Sequence, residues 1–181
     1  LYTDQHLKIT GSSLKFKKKS SLKNAIVQSI AGGNTMVWTK KFHQLLNLHP
    51  TYNPASHDWY LYQFCCYFGF KFIFIQRPTI LYRQHQNNAV GSNAGFFRTL
   101  KRIVMGLKGQ YKIWHEMNKN HFNQFEKYDH PTNSQLIVNR FYKLRTMKNL
   151  ASLLSLYELG VYRQTLQGQI MLYIATLIKK I

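Results

Sequence analysis

Between Ser56 and Gly69 the apolar residues Leu61, Phe64, Cys65 and Phe68 recur at spacings of three and four, the period of a helix. Ser56 suits an N-cap and Gly69 a C-terminal stop. The period then changes. Over FKFIFIQ (70–76), Phe70, Phe72 and Phe74 alternate with Lys71, Ile73 and Ile75, which predicts a strand with one apolar face and one mixed face. Pro78 opens a further short extended piece, TILYRQH. Upstream, residues 1–10 read as a short strand and turn, and 11–21 as a polar, basic loop. LKNAIVQSIA (22–31) reads as a short helix with Leu22, Ile26 and Ile30 spaced by four. GGNTMVWTK (32–40) predicts a glycine turn leading into a short apolar strand, and KKFHQLLNL a helix that ends before Pro50. Helix and strand in this order predict α/β layering, not a bundle.

From about Ala94 the pattern becomes helical and strongly basic, with Pro131 breaking it. A second helical stretch is predicted over 132–160 and a third over 161–181. In the last, Leu166, Ile170, Ile174, Leu177 and Ile181 share one face. Its longest apolar run, IMLYIATLI, is too short for a bilayer that needs about 20 residues. Two placements fit it: an interfacial helix on a membrane, or a helix packed on the domain.

Composition sharpens the picture. With 45% apolar and 15% aromatic residues the 181-residue chain can bury a core. Its 25 Lys and Arg against 6 Asp and Glu give a net charge of +19, which calls for a polyanionic partner. Cys65 and Cys66 are adjacent and form neither a disulfide framework nor a CxxC site, which fits a reducing cytosol. The chain starts at Leu1 on LYTD, a strand end and no signal-peptide pattern, so it is expected to be a fragment.

Against this charge the few carboxylates stand out. Asp58 falls in the first turn after Ser56, where a carboxylate is favoured by the free N–H groups and the helix dipole. The same position suits a general base, because a packed helix start fixes its geometry. His57 and His85 are further candidates, the latter beside Arg83 for a diphosphate or metal contact. No HxH or HExxH spacing exists, so a divalent ion would need ligands from elsewhere. The adjacent glycines of AGGNTM suit a tight turn or a close backbone approach to a ligand. GxGxxG, GxSxG and P-loop patterns are missing, which removes the commonest dinucleotide, hydrolase and NTPase readings.

The order LYTDQHLK, AGGNTMVWTKKFHQLL, SHDWYLYQFCCYFGFKFIFIQRPTILYRQHQNNAVGS strongly resembles the second half of bacterial family-2 glycosyltransferases, most of all the rhamnosyltransferase-like members. The resemblance covers positions 1–93, with GVYRQT near the C-terminus similar to the family's helical tail. It implies residues 1–93 as the C-terminal half of a GT-A catalytic domain, a mixed sheet between helices, and 94–181 as a basic helical extension. It implies an inverting, metal-assisted transfer from a nucleotide-sugar donor to a saccharide or polyprenyl-diphosphate-linked acceptor, with Mg or Mn as cofactor. Cell-surface polysaccharide synthesis, O-antigen or capsule, is the implied setting. By position, Asp58 matches the base that deprotonates the acceptor. His57 and Trp59 match its flanks in the acceptor or sugar pocket. Gly33, Asn34 and Thr35 match the turn that lines the donor sugar, and Arg83 and His85 the segment near the diphosphate, with His85 as a metal ligand. The family's nucleotide-binding half and its Asp-rich metal motif are expected ahead of Leu1, so the fragment alone is expected to be inactive.

The rival reading is a nucleic-acid or anionic-membrane binding module without catalysis. LKFKKKSSLK and FFRTLKRIVMGLKGQYK are basic with interleaved aromatics, as such a module requires. The transferase reading accounts for the same charge through an anionic membrane surface, and predicts no specific nucleic acid. It places the protein in the cytoplasm, peripheral on the inner face of the membrane.

Overall fold

The computed structural model describes residues 1–49, 53–83, 104–106 and 108–181. Strand β1 (Tyr2–Thr3) pairs antiparallel with β2 (Ile9–Gly11) and parallel with β3 (Tyr82–Arg83), giving a small mixed sheet in the order β2-β1-β3. Asp4 builds the hairpin turn: its Oδ1 accepts from the N–H groups of His6 (2.9 Å) and Lys8 (3.0 Å). Leu1 N donates to the Ile80 carbonyl at 2.9 Å and the Leu1 carbonyl accepts from Tyr82 N–H at 2.8 Å, which joins this end of β1 to β3.

Helix α1 (Leu22–Ala25) is shorter than the predicted 22–31. The β-branched Ile26 and Val27, then a Ser and two glycines within six residues, disfavour its continuation. The spacing was nonetheless informative, since Leu22, Ile26 and Ile30 are all buried. Asn24 pins this segment from both sides: its Nδ2 donates to the Tyr162 carbonyl at 2.9 Å, and its Oδ1 accepts from Tyr62 Oη at 3.0 Å.

A single 3-10 turn, Gly33–Thr35, follows, closed by Thr35 Oγ1 donating to the Gly32 carbonyl at 2.7 Å. The strand predicted after it is not there. Val37 is 98% exposed, and Thr39 already caps helix α2 (Lys40–Asn47) by accepting from Phe42 N–H at 3.3 Å. Three residues between a turn and a cap leave no length for a ladder.

Helix α3 (His57–Tyr67) matches the prediction, and so does its end. Gly69 has φ +73°, Gly69 N–H donates to the Cys66 carbonyl at 3.4 Å, and Phe70 N–H to the Cys65 carbonyl at 2.9 Å. That pair of bonds is a Schellman stop, which needs the left-handed residue. Residues 70–76 keep the expected alternation, with Phe70, Phe72 and Phe74 packed inward and Ile73 and Ile75 exposed. They are not a strand, however, because among the described residues no ladder partner lies beside them.

The C-terminal region comprises α4 (Gln110–Phe125), α5 (Thr132–Lys143), a 3-10 turn Leu144–Thr146, α6 (Asn149–Leu159) and α7 (Leu166–Leu177). The single stretch predicted over 132–160 is therefore two helices. The break is held from a distance: Lys179 Nζ donates to the carbonyls of Leu144 (3.3 Å) and Met147 and lies 3.3 Å from Ser152 Oγ. One core joins residues from before and after position 93, with Phe64, Phe122, Phe125, Phe141, Leu144 and Leu156 at its centre. Burying each of these side chains contributes about 1.5–3 kcal/mol.

Candidate active site

Asp58 is half-buried in the first turn of α3. Ser56 precedes it in extended conformation, but its side chain makes no cap hydrogen bond. The carboxylate instead accepts from Ser29: Ser29 Oγ lies 3.2 Å from Asp58 Oδ2 and 3.2 Å from the Ala31 carbonyl. Ser29 thus ties the acid to the segment that runs directly into the glycine turn.

The next residue back closes the same corner. A Cβ built on Gly33 would sit 1.9 Å from His57 Nε2 and 2.5 Å from Cδ2, so the imidazole occupies the space a side chain at 33 would need. Glycine at 33 permits this close approach of the imidazole; its φ is not the reason for it. Asn34 and Thr35 are exposed on the same turn. The chain folds so that α3 presents His57 and Asp58 to residues 29–35, which brings residues singled out in the sequence together with one that was not, Ser29.

Trp59 turns away from this corner. It is buried, and its Nε1 donates to the Ala25 carbonyl at 2.6 Å, the same oxygen that receives Gln63 Nε2 at 3.3 Å. Its ring meets Trp114 and His115 edge-on at 6.4 Å and 5.7 Å. Trp59 therefore locks α3 against α1 and α4, and so fixes the direction in which Asp58 points. Arg83 lies exposed in β3, in register with Thr3. His85 lies outside the described residues.

Ser29 carried no signal in the sequence. It is a small polar residue at the end of an apolar run, and only the tertiary approach of α3 gives it a partner. An open depression of about 560 Å³ lies between α2 and Phe70, lined by Lys41, Gln44, Leu45, Asn47 and Leu48; it includes neither Asp58 nor any other carboxylate.

The chemistry available is that of a positioned base. A half-buried carboxylate with one hydroxyl donor keeps lone pairs for a proton from a hydroxyl placed against it. A divalent ion is a different matter. Among the described residues no three His, Cys, Asp or Glu side chains converge, so the donor set does not by itself fit Mg or Mn.

Over 69 residues the chain is 38% identical to the dTDP-rhamnosyl transferase RfbG of Shigella flexneri. The match spans 38% of this chain and 24% of the relative's length, a glycosyltransferase-like relationship over part of each. No protein-family model and no solved structure matches the chain.

Proposed function

We propose that this chain is part of an inverting glycosyltransferase and that Asp58 is its general base. The observation that carries the reading is the tethered carboxylate: Asp58 is held by Ser29 at a helix start, beside the turn that His57 covers. An alcohol is a poor nucleophile until its proton is taken, and a base fixed on a packed helix contributes about 10²–10⁴-fold to such a step. The similarity to a dTDP-rhamnosyl transferase supports the same reaction class.

In this reading the small β2-β1-β3 sheet belongs to a GT-A domain. A saccharide or polyprenyl-diphosphate-linked hydroxyl approaches Asp58, and the Gly33–Thr35 turn faces the donor sugar. Arg83 supplies positive charge on the side of the departing diphosphate, where charge neutralisation stabilises the transition state. His85 and a divalent cation belong to the same proposal.

The test uses the product of the complete open reading frame that carries these residues. With dTDP-rhamnose and a saccharide acceptor, a rhamnosylated product with inverted anomeric configuration is expected by NMR. Retention of configuration, or donor turnover that needs no acceptor hydroxyl, would count against an inverting transfer.

A further inference from the structure

The site leaves two features unused, and the structure joins them. The first is apolar. Between Lys148 and Lys179 the charged residues are Glu158 and Arg163, in a chain where charged residues make up 17%. This stretch folds as the α6–α7 pair, which buries Leu156, Leu159, Leu172 and Ala175 against the core. Each helix keeps a second apolar stripe outward: Leu150, Leu154 and Tyr157 on α6, and Leu166, Ile170 and Ile174 on α7, continued by Ile178 just past its end. Spacings of three and four put each set on one face. Leu166 is 75% exposed and Tyr157 74%. Isolated exposed leucines need no explanation, but a run along two packed helices marks an interaction surface.

The second feature is the basic loop. Lys15, Lys17, Lys18 and Lys19 are exposed. The loop is sewn to the turn between α6 and α7. Lys18 N–H donates to Gln164 Oε1 at 2.9 Å, Gln164 Nε2 returns to the Lys18 carbonyl at 3.0 Å, and Lys18 Nζ donates to the Arg163 carbonyl at 2.8 Å. Tyr162 Oη adds a bond to the Lys19 carbonyl. The lysines therefore stand at the end of the helix pair from which the α7 stripe begins, three residues after Arg163.

We propose that this loop and the outward stripes of α6 and α7 form one surface that docks on an anionic lipid bilayer. The lysines would lie against headgroup phosphates while Leu166, Ile170 and Ile174 enter the acyl boundary, the arrangement of a helix lying in the interface plane. No helix among the described residues is long and apolar enough to cross a membrane. Nucleic acid would satisfy the lysines but would leave the aliphatic stripe in water. A second copy of a chain carrying +19 would have to bring two basic loops together.

Docking is independent of the transferase reading, because vesicle binding reads no transfer and either can fail alone. The 181-residue chain is floated with phosphatidylcholine vesicles, with and without phosphatidylglycerol, at low and high salt. Binding is expected only with phosphatidylglycerol and is weakened by salt. Replacing Lys15, Lys17 and Lys19 by Gln together should lower partition about a hundredfold, at roughly fivefold per lysine. Leu166→Asp with Ile170→Asp should lower it at least about tenfold. Circular dichroism checks folding; should the aspartates unfold the chain, Leu166→Ser and the lysine set decide. Three results would overturn the proposal: equal binding to both vesicle types, stripe variants that bind like the parent, or stripe variants that only convert a dimer to monomer in sedimentation. Duplex DNA binding that needs the lysines, with no vesicle binding, would overturn it as well.

Discussion

Ser29 and Asp58 are 29 residues apart in sequence and 3.2 Å apart in the fold, and this contact orients the carboxylate. A hydrogen bond to a charged acceptor in a half-exposed setting is worth about 1 kcal/mol. Ser29→Ala should therefore lower kcat by about fivefold, lower the melting temperature by about 2–4 °C and leave KM for the acceptor alone. Steady-state kinetics checks this; a change confined to KM would make Ser29 a substrate contact and not a positioning residue. Gly33 makes a sharper case. Gly33→Ala drives its methyl into His57, and because the imidazole is at the surface it can swing aside. The expected outcome is transfer reduced by about tenfold or more with the fold intact, read as activity against a thermal melt. Asp58 could be picked out from sequence because acids are scarce and it follows a serine at the start of a helix pattern, although that serine's side chain makes no cap bond in the fold. Ser29 could not, since nothing local distinguishes a serine that meets a carboxylate from one that meets water.

At the level of elements, helices were readable where both the period and the stop are local. Helix α3 ends at Gly69 because only a left-handed residue closes the Schellman bonds, and the sequence contains that glycine. Gly69→Ala should destabilise by about 1–2 kcal/mol from the φ of +73° alone, with Pro131 Cγ 3.2 Å from the added methyl making relief harder. Denaturant unfolding measures it. Strands were less readable. An alternating run specifies faces, but a ladder needs a partner, and residues 70–76 and 36–39 find none among the described residues. The break between α5 and α6 was hidden for a related reason: the lysine that stabilises it lies 35 residues from Leu144. Helix α4 adds a pH dependence. It carries His115, Asn118 and His121 into the interior, where His115 packs on Trp59 and Phe141 and His121 on Tyr60. Burial pushes the His115 imidazole down to about 3, helped by the charges of Arg163 and Arg145, and burial pushes His121 down to about 4. Both are neutral in the folded chain, whereas the unfolded chain takes up their protons below an ordinary value of 6.5. The stability they permit is thus complete above that value and is lost as pH falls toward 4, at about 1.4 kcal/mol per pH unit for each histidine. Thermal melts across this range should show the loss, and His121→Phe should roughly halve its slope, leaving the part due to His115.

For the molecule as a whole, the sequence conveyed α/β character, the excess of positive charge and the helical C-terminal region. Two features at this scale were out of its reach. The core crosses position 93, so Phe64 and Phe125 pack in one cluster although they belong to differently patterned parts of the chain. The basic loop and the last two helices meet because Gln164 and Lys18 pair across 146 residues, a contact no local pattern announces. The last helix, which by pattern fitted either a packed or an interfacial role, has an inward face of Leu172 and Ala175 and an outward one of Leu166 and Ile170. Helix α3 and the 29–35 segment converge on Asp58, and the function proposed stands or falls with that carboxylate. The direct measurement is sugar transfer by the complete open reading frame product carrying Asp58→Asn, which keeps the shape and removes the base. A fall in kcat of about 10²–10⁴-fold, with the melting temperature and donor binding held, is the predicted result. An Asp58→Asn variant that transfers sugar at the parent rate across the pH range would contradict it.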